Sequence, residues 1–301
     1  MNEVNLYDND TLTWRHDGKL YLLHVQRDED AESPREDDNL AIMACWHRRY
    51  SLGDKLDDKD GGAFWQRMVR EYVPHTDVIN AARNGKLTGI RLAENPDDKQ
   101  RIDVYESVPW ETSADEPQEY LEHEGVDSQY LFDILLDDLT NIQCQTLLRP
   151  YAVWLPLWLY DHSGLTISCG ERVYPYNDQW DSGCLGWIIV PKAVLLRETD
   201  ATSDTWRERG YEILRGEVEE YDQYLRGEVY GYTLYESDIP EDEQAPDWTD
   251  AGESCWGFYG SDIEKSGIAD NVGCGLSDAI RSGAYQTGVA TLHKSYYYTF
   301  A

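Results

Sequence analysis

YAVWLPLWLYDHSGLTISCGERVYPYNDQWDSGCLGWIIVPK, residues 151–192, is the densest apolar and aromatic block in a chain otherwise diluted with carboxylates. Residues 153–160 combine tryptophan, leucine and tyrosine without a charge, the composition of a strand buried on both faces. Asp161-His162-Ser163-Gly164 is a turn tetrad, and 165–169 and 183–190 are two further β-prone runs, the second closed by Pro191. The block is therefore expected to form a three-stranded antiparallel meander. Around it the pattern predicts an α+β fold, an antiparallel sheet packed by a few amphipathic helices. The connection at 170–182 carries rings where a merely solvated loop would be polar, so Tyr174, Tyr176, Trp180 and Asp181 are candidate partner-binding residues.

Working outward, 11–16 and 19–25 flank Asp17-Gly18, a strong hairpin signal. A buried strand at 40–46 runs into His47-Arg48-Arg49-Tyr50, whose arginines are expected to pair with acidic loops. Helical spacing follows at 64–72 and 77–83, then strands at 88–92 and 101–108 across the Asn95-Pro96-Asp97-Asp98 turn. The acidic stretch 110–125 reads as a linker, dividing the chain into regions 1–125 and 126–301. Ser128 is expected to cap a helix whose apolar pairs recur every three to four residues.

The strongest helix is at 203–225. Trp206, Gly210, Ile213, Leu214, Val218, Tyr221 and Leu225 form one stripe, and Glu208, Glu212, Arg215, Glu219 and Asp222 form the opposite face. Residues 229–236 and 254–259 read as paired strands, 263–271 and 276–282 as short helices, and 295–300 as a final strand.

Charge narrows the function classes. The 26 Lys and Arg face 58 Asp and Glu, a formal net charge of -32, which disfavours direct contact with nucleic acid or anionic lipid. The excess suits either adaptation to high salt or recognition of a basic partner, above all one that binds nucleic acid. No run reaches the roughly 18 apolar residues of a membrane span, and no leader pattern opens the chain, so a soluble cytoplasmic protein is expected. Six scattered cysteines without a C-x-x-C pair are expected to be reduced and mostly buried.

Motifs with a defined chemistry are lacking. Asp161-His162-Ser163 has the residue types of a hydrolase triad, but neighbours in one turn cannot converge on one proton path. His162, Asp161, Asp178 and Asp181 could gather near a metal, yet no H-x-x-x-H or H-E-x-x-H spacing exists, and neither a metal nor a cofactor is expected. No glycine loop is followed by the Lys-Ser/Thr of a phosphate site.

Five segments carry a resemblance: CWHRRYSLGD at 45–54, WLPLWLYDHSGLTIS at 154–168, WDSGCLGWIIVPK at 180–192, YDQYLRGEVYGYTLYE at 221–236 and SCWGFYG at 254–260. As a set they are similar to uncharacterised accessory proteins encoded by bacteriophages and other mobile elements. The resemblance implies a genomic context in which inhibitors of host defence are common. The expected function is thus a non-enzymatic protein of the host cytoplasm that blocks a basic DNA-handling or defence protein by DNA mimicry. Its partner-binding residues would be the four of the loop with Glu208, Glu212, Glu219 and Asp222. The alternative is a metal-dependent or small-molecule enzyme with its pocket at the 161–182 loop.

The two explanations of the charge differ in one measurement. With 11 Trp and 22 Tyr to build a core, the protein is expected to unfold cooperatively on heating in dilute buffer. A cooperative transition confined to molar salt would instead assign the carboxylates to salt adaptation.

Overall fold

A computed structural model describes residues 3–36, 39–87, 89–108, 118–170, 178, 180–239, 246–292 and 298–300. It is an α+β fold with three antiparallel sheets. The chain divides into two compact units. Unit 1 comprises Met1–Asn39, Trp158–Gly183 and Arg215–Ala301, and unit 2 comprises Leu40–Leu157 and Cys184–Leu214.

Unit 1 is built on a hairpin. Strands β1 (Asp10–His16) and β2 (Lys19–Arg27) pair with Leu12 opposite Leu23. Asp17 and Gly18 both take positive φ, 45° and 80°, the geometry of the two-residue turn that matches the strand twist. β2 then pairs with β10 (Val229–Asp238), and β10 with β11 (Thr249–Tyr259), the second pairing being the one the sequence predicts. On the other side β1 pairs with β12 (Tyr285–Leu292) and β12 with β13 (Tyr298–Phe300). The resulting six-stranded order is β11-β10-β2-β1-β12-β13. Helices α7 (Ile268–Val272) and α8 (Leu276–Ser282) contribute Ile268, Val272, Leu276 and Ile280 to a core with Leu12, Trp14, Leu23 and Tyr232.

Unit 2 gathers α1 (Gly61–Tyr72), α2 (His75–Arg83), α3 (Ser128–Asp137), α4 (Asn141–Leu148) and α5 (Lys192–Glu198). It also holds a sheet of β4 (Ile90–Glu94), β5 (Ile102–Val108) and β6 (Gln118–Val126). Trp65 is fully buried at its centre, with ring centroids 5.4 Å from Phe64, 5.4 Å from Trp154 and 5.3 Å from Trp187, all near edge-to-face. Such offset geometries are the favoured ones for aromatic pairs.

β7 (Ala152–Asp161), β8 (Leu165–Cys169) and β9 (Ser182–Pro191) lie where the aromatic block predicts strands, but their order with β3 (Ile42–Cys45) is β3-β9-β7-β8. The third strand therefore sits on the far side of β7, which becomes the middle strand of the three. β7 also alternates: Val153, Leu155, Leu157 and Leu159 are buried, and Trp154, Pro156, Trp158 and Tyr160 are half-buried, so the expected burial of both faces is replaced by one dry and one partly covered face.

Three other expectations change. The stretch read as a linker contains β6, and Val104 of β5, Val126 of β6 and Leu131 of α3 share one core, so the contacts continue through position 125. Asp127, not Ser128, caps α3, its carboxylate accepting from the Tyr130 N–H at 2.8 Å. All six cysteines are free thiols, but only Cys144 is buried; burial pushes its thiol up to about 12. No helix among the described residues is long and apolar enough to cross a membrane.

One close approach offers a test of packing. A Cβ on Gly231 of β10 would lie 2.2 Å from Cε3 of Trp256 in β11. Gly231→Ala is expected to lower unfolding stability by about 1–3 kcal/mol in urea. Adding Trp256→Ala should recover most of that loss; a loss unchanged by removing the ring would put the strain on the backbone.

Candidate functional site

Helix α6 (Trp206–Leu225) supplies four of the eight residues singled out by sequence. Trp206, Gly210, Leu214, Val218 and Tyr221 are buried, which turns Glu208, Glu212 and Glu219 outward as the periodicity requires. The outward face is not uniformly negative. Arg209 reaches Glu212 at 3.0 Å and Asp200 at 3.8 Å, and Arg215 interrupts the stripe.

Asp222 departs from the outward set. Its Oδ1 accepts the Ile167 N–H of β8 at 2.8 Å, and its Oδ2 lies 3.1 Å from Arg226. Burial raises its pKa, while the backbone hydrogen bond and Arg226 pull the other way. A side chain holding the middle of a strand in this manner is structural, and the sequence pattern could not show it because the partner is 55 residues away.

Within unit 1 the second half of α6 forms one wall of a cleft of about 640 Å³. Glu219, Glu220 and Gln223 line that wall; Glu228, Tyr259, Asp262 and Lys265 line the rest. The far wall is positioned by the N-terminal segment, since Leu6 N donates to Ser261 O at 2.9 Å and Ile263 N to Val4 O at 3.1 Å. Gly260 is required there: its φ is +88°, and a Cβ would lie 2.8 Å from the Gln223 amide. Both bases in the cleft are already engaged. Arg226 binds Asp222 and, at 2.7 Å, Glu228, and Lys265 binds Glu3 at 2.5 Å and Asp262 at 3.4 Å. Glu219 is exposed and has no partner among the described residues. Sequence reasoning found Glu219 but not Glu220, Glu228 or Asp262, which only the long-range folding of unit 1 brings together.

The central turn has a different geometry. His162 Nδ1 lies 2.8 Å from Asp181 Oδ2, so its partner comes from the residue just before β9 rather than from neighbouring Asp161 or Ser163. The Asp161 N–H donates to the Asp181 carbonyl at 2.7 Å, and the Asp178 carboxylate accepts the Trp180 N–H at 2.8 Å. Trp180 is 95% exposed and thus not packed by the strands. Tyr174 and Tyr176 lie outside the described residues. Among the described residues no group of three or more His, Cys, Asp and Glu side chains is placed to hold a metal ion.

The basic tetrad is arranged by stacking. His47 stacks on Tyr50 at 5.0 Å, and the Arg49 guanidinium lies 5.3 Å from the same ring.

Comparison of the chain with protein-family models, with curated proteins and with solved structures finds no match.

The His162–Asp181 contact has a sign that titration can read. The hydrogen bond and charge of Asp181 raise the imidazole pKa above its ordinary 6.5, with Asp178 adding to the effect. A raised folded value means that the stabilisation is fully present below pH 6.5 and is lost as pH rises through the higher folded value. NMR titration is expected to place His162 above 6.5 and to return it toward 6.5 in Asp181→Asn. A value at or below 6.5 in the unmodified protein would show that the pair does not persist in solution.

Proposed function

We infer that this chain is an acidic binding protein that docks on a basic, nucleic-acid-binding partner, as an accessory inhibitor from a bacteriophage or other mobile element acting on a host DNA-handling or defence protein. One observation carries the reading. In the cleft of unit 1 both bases are held by carboxylates of the chain itself, while Glu219 in the cleft and Glu208 earlier on α6 face outward without a partner among the described residues. With a net charge of -32, such surfaces attract a cationic groove over the distance of the screening length. A groove built for DNA expects about one charge per 1.7 Å of duplex, so an acidic face competes for it with a comparable dependence on salt. The genomic origin rests on the resemblance of the five sequence segments alone.

The test is displacement. Proteins from a bacterial lysate are bound to DNA-cellulose in low salt, and the acidic protein is then applied. A defined subset is expected to be released, with the effect fading as salt rises. Glu208→Lys, Glu212→Lys and Glu219→Lys together should weaken release about tenfold, because exposed charges each contribute only a fraction of a kcal/mol. His162→Ala and Asp181→Ala should leave it unchanged. Release of the same proteins by polyglutamate at equal charge would show that bulk charge suffices and would overturn specific docking. Loss of function on either single alanine in a folded protein would favour an active site at the central turn.

A further inference from the structure

A second cleft, of about 600 Å³, lies between α2 and α4 within unit 2. That volume falls in the roughly 300–1,000 Å³ of small-molecule sites. Its floor is apolar, with Ala81, Leu87 and Leu147, and Ile142 stands 76% exposed at its edge. Ile142 thus extends the apolar lining of the cleft to its rim.

The polar groups of this cleft are ordered along it. Asp77, in the first turn of α2, accepts a hydrogen bond from the Tyr151 hydroxyl, which fixes its carboxylate at one end. Lys86 follows the end of α2 and forms no ion pair among the described residues. Between them Asn80 and Asn84 lie one helical turn apart on the cleft wall, and neither side-chain amide has a partner among the described residues. α2 rises about 9 Å from Asp77 to its end at Arg83 at 1.5 Å per residue, and the chain then turns back, the Lys86 N–H donating to the Ala81 carbonyl at 2.9 Å, so the two groups stand on the order of 10 Å apart. Three residues of extended chain also span about 10 Å. The backbone positions of the two asparagines, about 6 Å apart along the helix, are spaced close to the about 7 Å at which peptide groups recur on one side of an extended chain.

The charged lining narrows the class. Asp77 opposes a small anion at one end of the cleft, and Lys86 opposes a small cation at the other. A zwitterion carries no net charge and meets one opposite charge at each end. We propose that the α2–α4 cleft binds a free, extended peptide of about three apolar residues, its amino end at Asp77, its carboxylate at Lys86 and its backbone on Asn80 and Asn84. This site is independent of the acidic surface of unit 1.

Calorimetric titration of the full chain with Leu-Leu-Leu tests the assignment. Saturable one-to-one binding is expected. Asn80→Ala with Asn84→Ala should weaken it about tenfold, as should Lys86→Glu or N-acetylation of the peptide. Thr146→Trp, which fills the cleft from an exposed position, should abolish binding with little change in melting temperature. The asparagine pair, also exposed, serves where the tryptophan variant does not fold. Absence of saturable heat, or binding that survives both the asparagine and tryptophan changes, would overturn the proposal. Equal affinity for the peptide blocked at both ends would overturn it as well, because an internal segment of a protein would then fit as well as a free peptide.

Discussion

Self-repulsion is the constraint that this fold must satisfy. With 58 carboxylates against 26 bases, carboxylates outnumber bases by more than two to one, and the structure uses several of the bases where they tie segments together. Arg35 is the clearest case: only 3% of its side chain is exposed, and its guanidinium bridges Asn39 at 2.9 Å and Glu217 of α6 at 2.8 Å. Removing one partner of such a buried pair costs about 3–5 kcal/mol, because the other charge is left without compensation. Arg67 holds Asp58 through Nε and Nη2 at 2.7–3.1 Å and so fixes the acidic loop before α1. Exposed pairs such as Arg281–Asp278 contribute little by comparison.

The apolar side of the balance is aromatic. Trp65, Trp154 and Trp187 with Phe64 form the centre of unit 2, and Trp14, Tyr230 and Tyr232 that of unit 1. Large rings bury much area per residue, which suits a chain with a limited share of apolar positions. Their polar atoms need partners. The Tyr232 hydroxyl lies 2.7 Å from the side-chain Oδ1 of Asn271 and 3.0 Å from a Glu253 carboxylate oxygen, and burial first, then Glu253, pushes its pKa well above the ordinary tyrosine value.

Local signals were legible in the sequence, and distant pairings were not. Asp17-Gly18 located the first hairpin because only residues tolerant of positive φ fit that turn. The stripe on α6 located its buried face. β6 escaped notice because Glu119, Glu122 and Glu124 dilute its apolar residues, and α4 because its periodicity is weak, with Ile142 outward and only Cys144 and Leu148 buried. The Thr140–Gln143 capping box was the available sign of α4. The order β9-β7-β8 and the diversion of Asp222 onto β8 depend on pairings that no single stretch encodes.

The two clefts show how a large net charge leaves room for different recognition chemistries. At physiological ionic strength a charge is screened over about 8 Å, so each cleft is governed chiefly by its own lining. In unit 1 the described lining holds more carboxylates than bases, and both bases are paired within the chain, so the cleft is acidic. In unit 2 one carboxylate and one ammonium stand at opposite ends of an apolar floor, so the lining is close to neutral and its selectivity comes from spacing. Charge excess is therefore a property of the whole chain, but the character of each cleft follows from the few side chains that line it.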